Sequence, residues 1–367
     1  MKTKHFLLAA ILTLIAFTFT GCGDILGDVG IFGDSSSSVG ANNDSSSSSG
    51  NSYSSAGNSP SSSSYTFTAK MNAIRTRYAN IQTSFSGGYF ITVPSNTLPY
   101  AAGKVKNEVL QAGLNATNLA RFIAGIPDDV ELDDGYTDLC QHGVVLMDAN
   151  GDVTHSPAKP ADMPQAFFDK GYQAASRSNL SSGELPSESV NSYMRDEEDY
   201  NYQVVGHRRW ILNPKMKKTG FGVGSTGMRM GCMYAFDESR SPAVDYEYIA
   251  WPSPGVFPLT FINKNTPWSI TVNTQKYGTP NYNNVVVKLK DINRGTTETF
   301  SKNTPNQPNT LRTMHFDVNT QGYGIANAII FRRELSSSFQ YSDGDEFEVT
   351  VTGLSRPLSY TVKLFSM

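Results

Sequence analysis

The clearest periodicity in the chain begins just after Gly103. Val105, Val109, Ala112, Ala116, Leu119 and Ile123 recur at alternating spacings of four and three, which lays one apolar stripe along a helix. Gly125 and Pro127 end it. A second helix is expected over residues 133–149, closing at Asn150-Gly151, with shorter ones over 68–81, 187–196 and 204–212. Residues 90–93, 220–223 and 232–236 read as strands. Beyond Tyr248 the pattern changes to short β-rich runs at 268–272, 285–289, 328–331, 347–351 and 360–364, divided by clusters of Gly, Asn, Pro and Thr. Phe347, Val349 and Val351 alternate with polar residues, as do Tyr360, Val362 and Leu364, so these two runs are expected to pair as a closing hairpin.

Ahead of the first helix, residues 35–64 are mostly serine with Gly, Asn and one Pro. Such a tract buries no apolar surface to offset the entropy of ordering and reads as a flexible tether. Before it, Lys2 and Lys4 precede an apolar run over residues 6–19 that ends in Thr20-Gly21-Cys22. That run is shorter than the roughly 20 residues of a spanning helix and has the layout of an export signal. Thr20-Gly21-Cys22 resembles the bacterial lipobox, which implies cleavage before Cys22 and lipidation of its thiol. The expected attachment to the membrane, at the outer membrane or cell surface, is therefore the acyl chain. The chain divides into a signal at 1–21, a lipidated linker at 22–64, an α+β domain at 65–247 and a β-sandwich at 248–367. Trp251-Pro252-Ser253-Pro254-Gly255 reads as part of a rigid connector between the last two, reaching Pro258.

Composition narrows the function classes. The 367 residues carry a net charge of −3 with a pI near 6.0, which gives no electrostatic footprint for nucleic acid. There is no Gly-rich phosphate loop, no Cys-Xaa-Xaa-Cys and no His-Glu-Xaa-Xaa-His. With Cys22 lipidated, Cys140 and Cys232 remain, and export favours their pairing as a disulfide.

His155 stands in His155-Ser156-Pro157, and His207 in Gly206-His207-Arg208-Arg209-Trp210-Ile211-Leu212-Asn213-Pro214. Between them lie Ser178-Asn179-Leu180 and a helix ending at Asp196, and Gly220-Phe221-Gly222 follows. His142 and His315 lack such surroundings and read as structural. The order of these motifs over about residues 101–236 resembles the CAP superfamily of cysteine-rich secretory, antigen 5 and pathogenesis-related proteins. The resemblance implies an α-β-α sandwich, followed here by an immunoglobulin-like antiparallel β-sandwich. It also implies a polar cleft lined by His155, Ser178, Asp196 and His207. Family members carry two histidines and two glutamates there, sometimes with a divalent metal. Ser178 and Asp196 replace the glutamates, which leaves His155, His207 and Asp196 as ligands for a weakly held ion such as zinc. The leading expectation is a lipid-anchored envelope protein that binds a ligand or envelope component through this cleft. The alternative is a hydrolase using Ser178, a histidine and Asp196, or a metal-assisted water, in the same cleft.

Overall fold

The computed structural model describes residues 63–198, 201–305 and 314–367. The export signal, Cys22 and nearly all of the serine tract lie outside the described residues, as do Asp199 and Tyr200. Helix α1 (Ser63–Ala79) and a small antiparallel pair, β1 (Phe90–Thr92) with β2 (Lys104–Val105), lead into α2 (Asn107–Ala124). The whole apolar stripe read from the sequence is buried. Gly125 closes α2 in the left-handed region, at φ 77°, where a side chain would be strained. Strand β3 (Glu131–Leu132) precedes α3 (Asp134–Asn150), whose first turn is capped by the Asp133 carboxylate accepting from the Tyr136 N–H.

Helix α4 (Gln165–Ala175) was not expected, and its buried face explains why. It packs Gly171, Ala174 and Ala175 against α3, so closely that a Cβ on Gly143 would lie 2.9 Å from the Ala174 Cβ. Small residues make this contact, and no stripe of large apolar side chains marks it in the sequence. Next come β4 (Ser178–Ser182), α5 (Pro186–Arg195), α6 (Gly206–Ile211), β5 (Lys218–Thr219), β6 (Phe221–Val223) and β7 (Met230–Tyr234). Strands β4, β7 and β6 form an antiparallel sheet with β7 in the centre. Helix α3 covers one face and α5, backed by α2, the other. These are the expected α-β-α layers.

The remaining elements are β8 (Tyr248–Trp251), β9 (Gly255–Pro258), β10 (Trp268–Val272), the single turn α7 (Thr274–Tyr277), β11 (Val286–Asp291), β12 (Thr296–Phe300), β13 (His315–Asn319), β14 (Ala328–Arg332), β15 (Glu346–Thr352) and β16 (Leu358–Phe365). They build two sheets, ordered β13-β14-β10-β8 and β12-β11-β15-β16-β9. Pairing is antiparallel except where β9 runs parallel to β16, and β15 and β16 form the expected hairpin. Aromatic rings close the interior between the sheets, with Trp268 of β10 edge-on to Phe347 of β15 at 5.6 Å. This is a β-sandwich.

The stretch from Trp251 to Pro258 is not a connector. Trp251 ends one sheet and Gly255 begins the other, and the Trp251 indole is buried edge-on to the Phe257 and Phe261 rings. The proline-rich segment is a turn inside the sandwich. The apolar core itself runs without a break from Leu119 and Ile123 of α2 through Trp251 to Phe347 and Val362. Among the described residues no helix is long and apolar enough to cross a membrane.

Candidate functional site

Helix α6 has only six residues, too few to be stable alone, so its position is imposed by its surroundings. Three buried arginines do most of this. Arg121 of α2 donates to the carbonyls of Ile211 and Asn213, both at 2.8 Å, and so holds the end of α6. Arg208 donates to Met194 O at 2.7 Å, Arg195 O at 2.9 Å, Pro267 O at 2.8 Å and Ser269 Oγ at 3.0 Å. Arg209 donates to Ile325 O at 2.8 Å and Asn319 Oδ1 at 3.0 Å, and its guanidinium lies over the Tyr323 ring. Burial pulls the Arg208 pKa down to about 10 despite Asp196 and Glu197, and does the same to Arg209. The two arginines that follow His207 therefore reach into the β-sandwich. Trp210 completes the joint by packing on Gly324, where a Cβ would fall 2.5 Å from its ring.

His207 sits at the start of α6, after two residues in left-handed conformation. Asp196 caps α5 at φ 50°, and Val205 precedes α6 at φ 45°. For a β-branched residue that conformation costs on the order of 1–2 kcal/mol. Burial of the Val205 side chain against Ala328 and Ile330 of the sandwich offsets it. The result is a tightly held pair. The His207 Nδ1–H donates to Asp196 Oδ1 at 2.9 Å, and the Arg208 N–H donates to Asp196 Oδ2 at the same distance. Asn179 Nδ2 of β4 donates to the His207 carbonyl at 3.1 Å, and the Tyr193 ring lies 4.9 Å from the imidazole. Burial would pull the His207 pKa down. The charges of Asp196 and Glu198 and the hydrogen bond to Asp196 outweigh it and raise the pKa above the ordinary imidazole value. Glu198 is raised in turn, by loss of solvent around its carboxylate and by the neighbouring Asp196.

Beside this pair lies a cleft of about 270 Å³. Val153, Leu180 and Tyr193 give it an apolar side, and Ser181, Ser182, Glu184, Ser192 and Glu198 give it a polar one. Tyr193 and Glu198 belong both to the cleft wall and to the surroundings of His207. Of these wall residues only Leu180, in the Ser178-Asn179-Leu180 motif, is marked by the sequence.

Of the four residues expected to share the cleft, Asp196 and His207 are joined. Ser178 is not with them. Side chains alternate along β4, so Asn179 and Ser181 turn toward α5 and α6 while Ser178 turns toward α3. There its hydroxyl lies 3.9 Å from the Cys140 thiol, buried in the core. A Ser178–histidine nucleophile is therefore not assembled. His155 is exposed, and its Nδ1–H donates to the Ala175 carbonyl at the end of α4 at 2.8 Å.

Asp196, Glu198 and His207 each bring one ligand atom to within 4.8 Å of the others. The donor set does not fit a resident zinc ion. Both Asp196 oxygens already accept hydrogen bonds, and His207 Nδ1 is spent on one of them. That leaves the imidazole Nε2 and the Glu198 carboxylate, where a zinc site takes three or four protein ligands. Asp196 orients the histidine instead. Cys140 and Cys232, expected to form a disulfide, are separate buried thiols within one apolar cluster.

No curated protein matches the chain. Residues 114–235, from within α2 to just past β7, match the cysteine-rich secretory protein family, CAP. This stretch, which holds His207 and its three arginines, is a CAP domain, and the chain carries it ahead of a largely antiparallel β-sandwich.

Proposed function

We propose that the protein is an exported, lipid-anchored binding protein of the cell envelope, whose CAP domain holds a small hydroxyl-rich ligand in the cleft beside His207. The cleft carries the reading. Its polar wall offers three serine hydroxyls and two carboxylates and no basic side chain. Carboxylates accept from ligand hydroxyls, serines both donate and accept, and the apolar side suits the face of a sugar ring. At about 270 Å³ it lies just below the usual range of ligand pockets, which fits a single ring better than an extended chain.

Binding is favoured over hydrolysis by two features. Ser178 points into the core, so the serine nucleophile of the alternative reading is unsupported. The raised pKa of His207 also keeps the imidazole protonated further up the pH scale, which suits a fixed cation and weakens a general base.

Soluble glycan fragments of the cell wall should bind the purified protein in a calorimeter. Ser182→Trp, at an exposed rim position, should weaken that binding by at least about tenfold by filling the cleft. A wild-type protein that binds none of these fragments, or a variant of equal affinity, would refute the reading. Anchoring rests on Lys2, Lys4, the apolar run and Cys22. Cys22→Ser should release the protein from the membrane fraction, and an unchanged membrane fraction would contradict it.

A further inference from the structure

Cys140 and Cys232 come from different layers of the CAP domain, α3 and β7. In the sheet, Cys232 is directly opposite Gly222 on one side and Leu180 on the other. Residues paired this way project from the same face, and that face lies under α3. A Cβ on Gly222 would fall 2.4 Å from the Cys140 carbonyl oxygen. The missing side chain at position 222 therefore lets the α3 backbone settle onto the sheet beside Cys232. Both side chains belong to one buried cluster with Val144, Met147 and Leu180, and the Cys140 thiol donates to Gly220 O at 3.5 Å. Both residues are buried, Cys140 completely.

We propose that Cys140 and Cys232 are a cross-linking site whose oxidation state is set while the chain folds and is then sealed by burial. In an oxidising compartment one thiolate attacks an external disulfide, carried by a small thiol or by a thiol–disulfide oxidoreductase, and expels the first reduced thiol. The second cysteine then attacks the mixed disulfide at the protein sulfur and expels the other. Two protein thiols and one external disulfide become one protein disulfide and two released thiols, so electrons and protons balance. A chain that folds before meeting the oxidant stays a dithiol. The attacking species is the thiolate, and burial, reinforced by the neighbouring Cys232 thiol, pushes the Cys140 thiol well above its ordinary pKa.

The test uses the full-length chain with Cys22→Ser, so that only these two thiols remain. The reduced, folded protein should react with an aromatic disulfide reagent at least roughly a hundredfold more slowly than in denaturant. Held folded in a buffer of oxidised and reduced glutathione, it should keep both thiols. Unfolded and refolded in that buffer, it should show none on later denaturation, give one peptide joining the two cysteines, and regain its circular dichroism. Two free thiols in the correctly refolded protein would overturn the proposal. So would a cross-linked protein without the native spectrum, or a folded dithiol labelled as fast as the denatured one.

Discussion

Arg208→Met should destabilise the protein by about 3–5 kcal/mol, the range for removing one partner from a buried charged network. The Arg208 side chain is completely buried and satisfies the carbonyls of Met194, Arg195 and Pro267 together with the Ser269 hydroxyl. Methionine fills similar volume and donates nothing, so three carbonyl oxygens lose a charged donor in a place with little water to replace it. Asp196 would also lose the cation that helps to hold its charge away from solvent. Lysine should recover little, because one ammonium cannot reproduce the planar fork that reaches α5 and β10 at once. Urea unfolding should therefore show a large drop for both Arg208→Met and Arg208→Lys. A loss below about 1 kcal/mol in Arg208→Met would mean that these bonds do not join the CAP domain to the sandwich.

Gly222→Ala should be nearly as damaging, at about 3 kcal/mol. The added methyl would meet Cys140 O at 2.4 Å and Cys140 C at 2.5 Å, and both atoms are backbone. No rotamer change relieves that contact. Helix α3 would have to lift from β6 and β7, loosening its packing around Val144 and Met147. Gly227 supplies the control, since a Cβ there meets nothing within 4 Å. Gly227→Ala should change stability by less than about 0.5 kcal/mol. Equal effects at the two glycines would refute the claim that α3 rests on the sheet through position 222.

The parts of the fold that could be read in the sequence are those in which burial follows a period. The α2 stripe and the alternation in β15 and β16 are of that kind, and each is buried as its pattern requires. Helix α4 escaped because it packs through Gly171, Ala174 and Ala175, which carry little apolar signal. The segment from Trp251 to Pro258 misled because prolines mark a turn without saying whether the turn lies between domains or between two sheets. Within the site, motif order pointed to His207 and Asp196, and they meet. The same order pointed to Ser178, but a strand sends neighbouring side chains to opposite faces, and it is Asn179 that reaches His207. The roles of Arg208 and Arg209 were illegible for a different reason. Their partners are mostly backbone carbonyls distant in sequence, which leave no mark on composition or spacing.

The site depends on a half-buried histidine held by Asp196 in a more basic state than usual. Two-dimensional NMR of the His207 ring across pH tests this most directly. The midpoint should lie above the ordinary imidazole value of about 6.5. Because the folded value is the raised one, the pair's contribution to stability is complete below the unfolded pKa and is lost as pH rises through the folded one. In Asp196→Asn the hydrogen bond to a charge is gone while burial remains, so the midpoint should fall below the ordinary value. Glu198→Gln, at an exposed position, should move it down by less and leave the fold intact. A wild-type midpoint at or below about 6.5, or one that neither substitution moves, would contradict the account.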